Sequence, residues 1–350
     1  MGLDIGTSGV RAAEITTSKG SVTLERFGQV ALPAGAVRDG EVIDTETVAQ
    51  AIKQLWAQAK FSTKKVVVGV ANQKVVVRQV DLAWLPVNEL KKSLAFQVQD
   101  FIPMPVEQAI LDFHPLAELT NDAGGRMLRV LLVAAARDMV GSALQAVEKA
   151  GLQPSMVDLN SFAVLRSQVT SSAGFVDASE ALVDIGSSVT NIVVHQGGVP
   201  RFVRILLMGG GDITDAVAER LGVPAEQAES VKQTTGLALV AGGVEPHPAN
   251  PADRAIELTG SAFVEEVRGS LDYYRAQPGA ARIGRVVLSG GGSRLGGLVE
   301  RLQAATRLPV EVARPMSVLK IGKTGLTAEQ LAYVEPMVTV PVGLALGRAS

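Results

Sequence analysis

Cysteine is absent from the 350 residues, which rules out disulfides, thiolate nucleophiles and cysteine-based metal centres together. The same absence suits a reducing compartment. Histidine is scarce: His114, His195 and His247 are scattered, which disfavours a zinc site. Dense basic clusters are missing, Lys64-Lys65 and Lys91-Lys92 being isolated pairs, and the net charge is −2; DNA or RNA is not the expected partner. The densest apolar run, Val130 to Ala136, is too short to cross a bilayer. No basic-then-apolar leader opens the sequence, and Gly6 stands where myristoylation needs Ser or Thr, so a cytoplasmic protein is expected. A G-x-S-x-G elbow is also lacking, which leaves serine-hydrolase chemistry without an anchor. Two glycine motifs fall short. Ser289-Gly290-Gly291-Gly292-Ser293 misses the dinucleotide fingerprint because Leu295 occupies its last glycine position, and Ile321-Gly322-Lys323-Thr324 misses a P-loop because Ser317 occupies its first.

What is present is a chain 47% hydrophobic and 19% charged, a globular composition long enough for two domains with good cores. One signature occurs twice. Asp4-Ile5-Gly6-Thr7-Ser8-Gly9-Val10 opens the chain and Asp184-Ile185-Gly186-Ser187-Ser188-Val189-Thr190 stands mid-chain, each after an apolar residue and before a second apolar stretch. Each reads as strand, tight polar turn, returning strand. Small-residue turns present backbone N–H groups in a concave nest that binds anions, and the hydroxyls of Thr7, Ser8, Ser187 and Ser188 add donors. Asp4 and Asp184 would repel bare phosphate but suit a hydrated Mg²⁺ between them. One such turn is an ordinary hairpin; two in equivalent contexts favour a phosphate chain held from both sides.

The surrounding pattern repeats as well. Strands Met1–Ile5, Val10–Ile15 and Val22–Val30 match Ala181–Ile185, Val189–His195 and Pro200–Leu207. Asp44 caps a helix that faces inward through Val48, Ile52, Leu55, Trp56 and Ala59, and Val66–Val70 is a buried strand. From about Gln73 to Gly151 the pattern reads as a small inserted α+β unit. It has strand Val75–Val80, a helix from Asn88 with Leu90, Leu94, Val98 and Phe101 on one face, strands Ile110–Phe113 and Met127–Ala135, and a helix capped by Asp138. Gly209-Gly210-Gly211 leads into a helix capped by Asp212. Val223–Pro278 is mostly helical, broken by a loose Gly242–Pro251 loop. The expected division is residues 1–72 with 152–180 and 340–350, an insert at 73–151, and a second domain at 181–339 with a helical subdomain at 222–284. Arg11, seven residues after Asp4 on the returning strand, either reaches phosphate or is a solvated strand arginine. The Ser289–Ser293 loop between strand and helix alone is a weak anion or polar-edge site.

With two phosphate turns and a glycine-rich strand–helix loop in this order, the chain resembles the actin-like ATPase superfamily. Asp4–Val10 is similar to its first phosphate motif, Asp184–Thr190 to the second, and Val287–Ser293 to the adenosine motif. Gly209-Gly210-Gly211-Asp212-Ile213-Thr214 and Ala228-Glu229-Ser230-Val231-Lys232 resemble elements of the FtsA branch, and Val340–Gly347 its C-terminal connecting helix. Within that branch the chain resembles the PilM family of type IV pilus assembly, through its opening Leu3–Ile15 and through Gln99-Asp100-Phe101-Ile102-Pro103 in the insert. An end at Arg348-Ala349-Ser350 without an amphipathic helix favours that family over FtsA, and the short first strand suggests that a few native residues precede Met1.

The resemblance implies an α/β, actin-like (ribonuclease H-like) duplicated fold with the inserted α+β subdomain. It implies ATP and Mg²⁺ as ligands, with slow or no hydrolysis. Cofactor contacts would come from Gly6, Thr7, Ser8, Arg11, Gly186, Ser187, Ser188, Gly209, Gly210, Gly211, Glu229, Lys232, Gly290, Gly291, Gly292 and Ser293. Asp4 and Asp184 would serve the metal, and Asp184 would position an attacking water. It further implies a scaffold at the inner face of the inner membrane, holding the cytoplasmic N-terminal peptide of a PilN-like membrane protein between the first domain and the insert. The insert helix Leu90–Phe101 and strand Val75–Val80 are candidate peptide contacts, with packing inside the insert as the alternative. Two other functions stay open: a small-molecule kinase of the same superfamily, for which Asp81, Asp100 and Asp112 offer no marked base, and an FtsA-like filament former.

Overall fold

The computed structural model describes residues 1–169, 178–238 and 250–347. Its organisation follows from two sheets with one strand order. In the first, Gly2–Gly6, Gly9–Ser18 and Ser21–Ala31 form an antiparallel meander in which Asp4 lies opposite Arg11. Lys65–Val70 then runs parallel beside Gly2–Gly6, and Gln153–Leu159 runs parallel beside that. Parallel strands need crossovers and are covered on both faces, which is why Val66, Val67 and Val68 are consecutively apolar and all buried. The crossover helix Thr45–Ala59 begins at Asp44, whose carboxylate accepts from the Glu46 and Thr47 amides, and it buries Val48, Ile52 and Leu55. Trp56 is only half-buried because its indole N–H reaches out to the Thr63 carbonyl at 3.0 Å.

The second sheet repeats the order. Ser179–Ile185, Thr190–Gln196 and Val199–Leu206 form the meander, and Ile283–Ser289 and Val310–Val312 add in parallel on the other side. Helices Gly210–Leu221, Ala225–Thr235 and Pro251–Arg275 lie on its outer side, and Val217, Ala228, Ile256 and Val267 join Val183, Ile185 and Ile192 in one core. Of the Gly242–Pro251 loop, residues 242–249 lie outside the described residues, as does His247. Helices Asn160–Val169 and Thr339–Leu346 cross between the two sheets, and Val164 and Leu344 share a cluster with Val67 from the first sheet and Leu182 and Val193 from the second. They cross closely because Gly343 has no Cβ to collide with the Ala163 carbonyl.

The segment between the fourth and fifth strands of the first sheet forms a three-stranded sheet, Val75–Ala83, Arg126–Ala136 and Ala109–Thr120, with helix Val87–Gln97 on it. Several sequence expectations need correction here. The helix stops at Gln97 before a short 3-10 turn, Gln99–Phe101, so Leu90, Leu94 and Val98 are buried while Phe101 is exposed. The strand expected at Ile110–Phe113 is longer, Ala109–Thr120, because it pairs along the whole of Arg126–Ala136. Asp138 is not the cap of its helix. The strand Arg126–Ala136 runs into the helix without a spacer, so helix Arg137–Lys149 starts after Ala136 and Asp138 sits inside the first turn, where a carboxylate complements the helix dipole. Strand Gln153–Leu159 and helix Asn160–Val169 had no sequence prediction, since the strand is interrupted by Pro154 and Ser155 and lacks alternation.

Candidate functional site

The two signature turns meet. The Thr7 and Ser188 hydroxyls lie 2.7 Å apart, one hydrogen-bonding the other across the two sheets. Around them opens a cleft of about 990 Å³. Its walls hold Asp4, Gly6, Thr7, Ser8, Arg11, Asp184, Gly186, Ser187, Ser188, Gly210, Gly211, Glu229, Lys232, Gly290, Gly291 and Gly292. Of the residues expected from sequence, Gly209 and Ser293 are not on the wall. Ser293 is buried with its hydroxyl donating to the Gly290 carbonyl at 2.7 Å, so it fixes the glycine loop from behind. Gly209 abuts the carbonyls of Gly186 and Ser187, where any Cβ would collide.

Asp4 and Asp184 are both buried, each near the turn-ward end of its strand, with Ile5 and Gly6 after the first and Ile185 after the second. Burial raises the Asp4 carboxyl, opposed by the Arg11 guanidinium 3.6 Å away and by the Asn160 amide donating at 3.2 Å. Burial also pushes Asp184 up, to about 6; the Ser289 hydroxyl donating at 2.7 Å opposes this, and the charge of Asp4 adds to it. Two buried carboxyls, both raised by burial and the second also by the charge of the first, are arranged for a shared cation or proton. Asn160 was not anticipated from sequence, because nothing in its local pattern marks it. It enters the site because Gly69 leaves the space its side chain fills.

The helix at Gly210 differs from expectation. Asp212 is not its first cap; Gly209 is, and Asp212 reaches back to accept from the Gly209 amide at 2.7 Å. The Gly210 and Gly211 amides donate to the Gly186 and Ser187 carbonyls at 2.9 and 2.7 Å, so these N–H groups brace the second turn. Lys232 is nearly buried and ties the same corner together. Its ammonium donates to the Gly210 carbonyl and the Thr214 hydroxyl, both at 2.8 Å, and pairs with Glu229 at 2.6 Å. Burial would raise Glu229, but hydrogen bonds from Lys232, Thr214 and Gln233 hold its carboxyl below the usual range. At the far end, Arg294 stacks over the Tyr333 ring at 3.7 Å, and both line the cleft with Met337.

The donor set fits a magnesium nucleotide. Arg11 Nε and Asn160 Oδ1 are buried without a hydrogen-bond partner, an unmet donor and an unmet acceptor beside the two carboxyls. Mg²⁺ keeps several waters and uses one or two carboxylates, the number that Asp4 and Asp184 present to the cleft. Of the P-loop-like Ile321–Thr324 stretch only Ile321 is in a strand, the two-residue edge strand Lys320–Ile321 beside Ser21–Ala31, and none of the stretch lines the cleft. No described helix is long and apolar enough to cross a membrane.

Residues 2–349 match the family described as type IV pilus assembly protein PilM. The chain is similar throughout to a chain of a PilM–PilN type IV pilus biogenesis complex, with TM-score 0.87 and 29% identity over 100% of this chain and 98% of that one. MreB5 of Spiroplasma citri bound to AMPPNP shares the fold at TM-score 0.55 and 11% identity, over 99% and 95% of the two chains. The cell division protein FtsA of Pseudomonas aeruginosa is 25% identical over 354 residues, 91% of this chain and 83% of FtsA. That of Bacillus subtilis is 26% identical over 262 residues, 67% of this chain and 58% of FtsA, so the match spans little over half of that relative. The fold is that of the actin-like ATPases, and the chain belongs to the PilM family of type IV pilus assembly proteins.

Proposed function

We propose that this member of the PilM family binds Mg-ATP in the cleft between its two sheets and serves as a cytoplasmic scaffold of the type IV pilus platform, holding the N-terminal peptide of a PilN-like membrane protein. The observation that carries the reading is the contact of the two turns over a pair of buried carboxyls. Thr7, Ser8, Arg11, Ser187 and Ser188 would take the phosphates, and Asp4 and Asp184 would hold Mg²⁺ through its water shell. When bound, the ion supplies the charge neutralisation that lets two carboxylates face a triphosphate. Asp184 would orient water for slow hydrolysis. Gly290 to Gly292 let backbone approach the nucleoside, and Glu229 and Lys232 form the opposite wall.

The partner would bring the protein to the membrane surface without lipid contacts of its own. For the peptide, strand Val75–Ala83 is the weaker of the two candidate elements. Val77 packs against the same buried cluster as Phe162 and Ile205, and Gln79 donates to the Arg201 carbonyl at 2.6 Å, so part of it is already docked. Helix Val87–Gln97 is better placed, with Phe96 80% exposed. Calorimetry of the full chain with a synthetic PilN-type N-terminal peptide, with and without Mg-ATP, tests the reading. Peptide binding altered by Mg-ATP supports it; acceptor-dependent phosphate transfer to sugars or carboxylates would replace it with a kinase, and ATP-dependent pelleting with a filament.

A further inference from the structure

The cations of the cleft are unequally engaged. Arg11 is paired with Asp4 through one guanidinium nitrogen, Lys232 with Glu229, and Arg294 is stacked on Tyr333. Arg38 is different: it is exposed, it lines the cleft, and its side chain has no ion-pair partner among the described residues. It sits on a small hairpin, Val37-Arg38 paired with Glu41-Val42, whose two-residue turn has positive φ at both Asp39 (52°) and Gly40 (79°). Two positive values make the tight turn matched to the twist of paired strands, so Arg38 is presented on a stiff support. The hairpin abuts Val189 at the end of the second turn, whereas the Gly290–Gly292 loop sits on Ile185 at its start. Arg38 therefore stands on the side of the phosphate turns away from the nucleoside wall. Asp39, Asp212 and Asp215 line the same cleft, and Asp39 and Asp215 are near enough to act on the Asp212 carboxyl, a concentration of acidic groups that a terminal phosphate meets only if a cation offsets it.

The hairpin is also wired to the three-stranded unit. Asn72, almost fully buried, donates to the Asp39 carbonyl and accepts from the Lys74 amide at 2.8 Å. The Lys74 ammonium pairs with Glu41 of the hairpin at 2.9 Å and with Asp138 at 3.5 Å. Lys74 immediately precedes strand Val75–Ala83, and Asp138 opens the helix that leaves that unit. One short element thus touches the cleft with its arginine and the root of the three-stranded unit with its turn.

Resting on the reading of the cleft as a Mg-ATP site, we infer that Arg38 is a terminal-phosphate sensor, and that its hairpin passes the presence of that phosphate to the three-stranded unit through Asn72 and Lys74. An arginine offers several donors in a planar fork that suits a phosphate, and a diphosphate would leave it unengaged. Coupling requires only that the two nucleotides differ in what they contact on this element.

The test is calorimetry with Mg-ATP and Mg-ADP on the full chain and on Arg38→Ala and Arg38→Lys, which alter an exposed side chain. Arg38→Ala should weaken Mg-ATP by about tenfold with Mg-ADP nearly unchanged, and Arg38→Lys should fall between. Hydrogen exchange supplies the second arm. Strand Val75–Ala83 should be better protected with Mg-ATP than with Mg-ADP, and Lys74→Ala should erase that difference while keeping ATP affinity. An unchanged ATP-to-ADP ratio in Arg38→Ala, or equal weakening of both, overturns the inference and leaves the cleft assignment standing. Wild-type protein that binds neither nucleotide overturns both.

Discussion

The two turns are built alike and neutralised differently. In each, an aspartate lies opposite a polar residue on the returning strand, Asp4 facing Arg11 and Asp184 facing Asn191. In each, a parallel strand flanks the aspartate on its other side. In the second sheet that strand places Ser289 level with Asp184, and the serine donates to it directly. In the first, the paired run ends at Leu3 with Val68, and the next residue on the neighbour is Gly69. The missing side chain there is replaced by Asn160, which comes from a helix between the sheets and donates to Asp4. So the first carboxyl is supported by a cation and a borrowed amide, and the second by a hydroxyl of its own sheet. The lesson is that a duplicated fold keeps the position of the charged group while its supports are free to diverge.

The largest effect should come from making the halves equal. In Gly69→Ser the new Cβ collides with Asn160 and crowds Leu344, an overpacking expected to cost about 3 kcal/mol in urea unfolding. Adding Asn160→Ala should recover a large part of the loss by emptying the space. Next, Asp4→Asn and Asp184→Asn should each remove Mg-ATP stabilisation, about 2.7 kcal/mol at a hundredfold excess over Kd, read as a lost melting shift. If only one of them matters, the turns are not equivalent partners.

A pH series separates the halves at smaller cost. Asp184 titrates near 6 when folded against 3.8 as an ordinary carboxyl, so the folded state holds the proton more tightly. Its contribution to stability is complete below the lower value and is lost as pH rises through the upper one. Nucleotide-free protein should therefore lose about 2 kcal/mol between pH 4 and pH 6.5 from this group, and Asp184→Asn should flatten that slope. The smallest effect is expected for Thr7→Val, which removes the bond to Ser188 and should cost about 1 kcal/mol.

Much of this was legible in the sequence because it is local. The paired signatures, the Asp44 cap and the buried valine strand are set by short-range pattern. Asn160 and the Ser289 contact were not, since each is made by chain segments brought together only when the sheet closes. The inward rotation of Ser293 and the bracing role of the Gly210 and Gly211 amides were hidden for a related reason. A glycine-rich loop looks the same in sequence whether its backbone meets a ligand or another backbone.

The most direct test is titration of the full chain with Mg-ATP, followed by calorimetry and by melting. A saturable site holding about one nucleotide per chain, with a rise in melting temperature absent from Asp184→Asn, is the expected result. No heat and no melting shift at millimolar Mg-ATP would contradict a nucleotide held between the two turns.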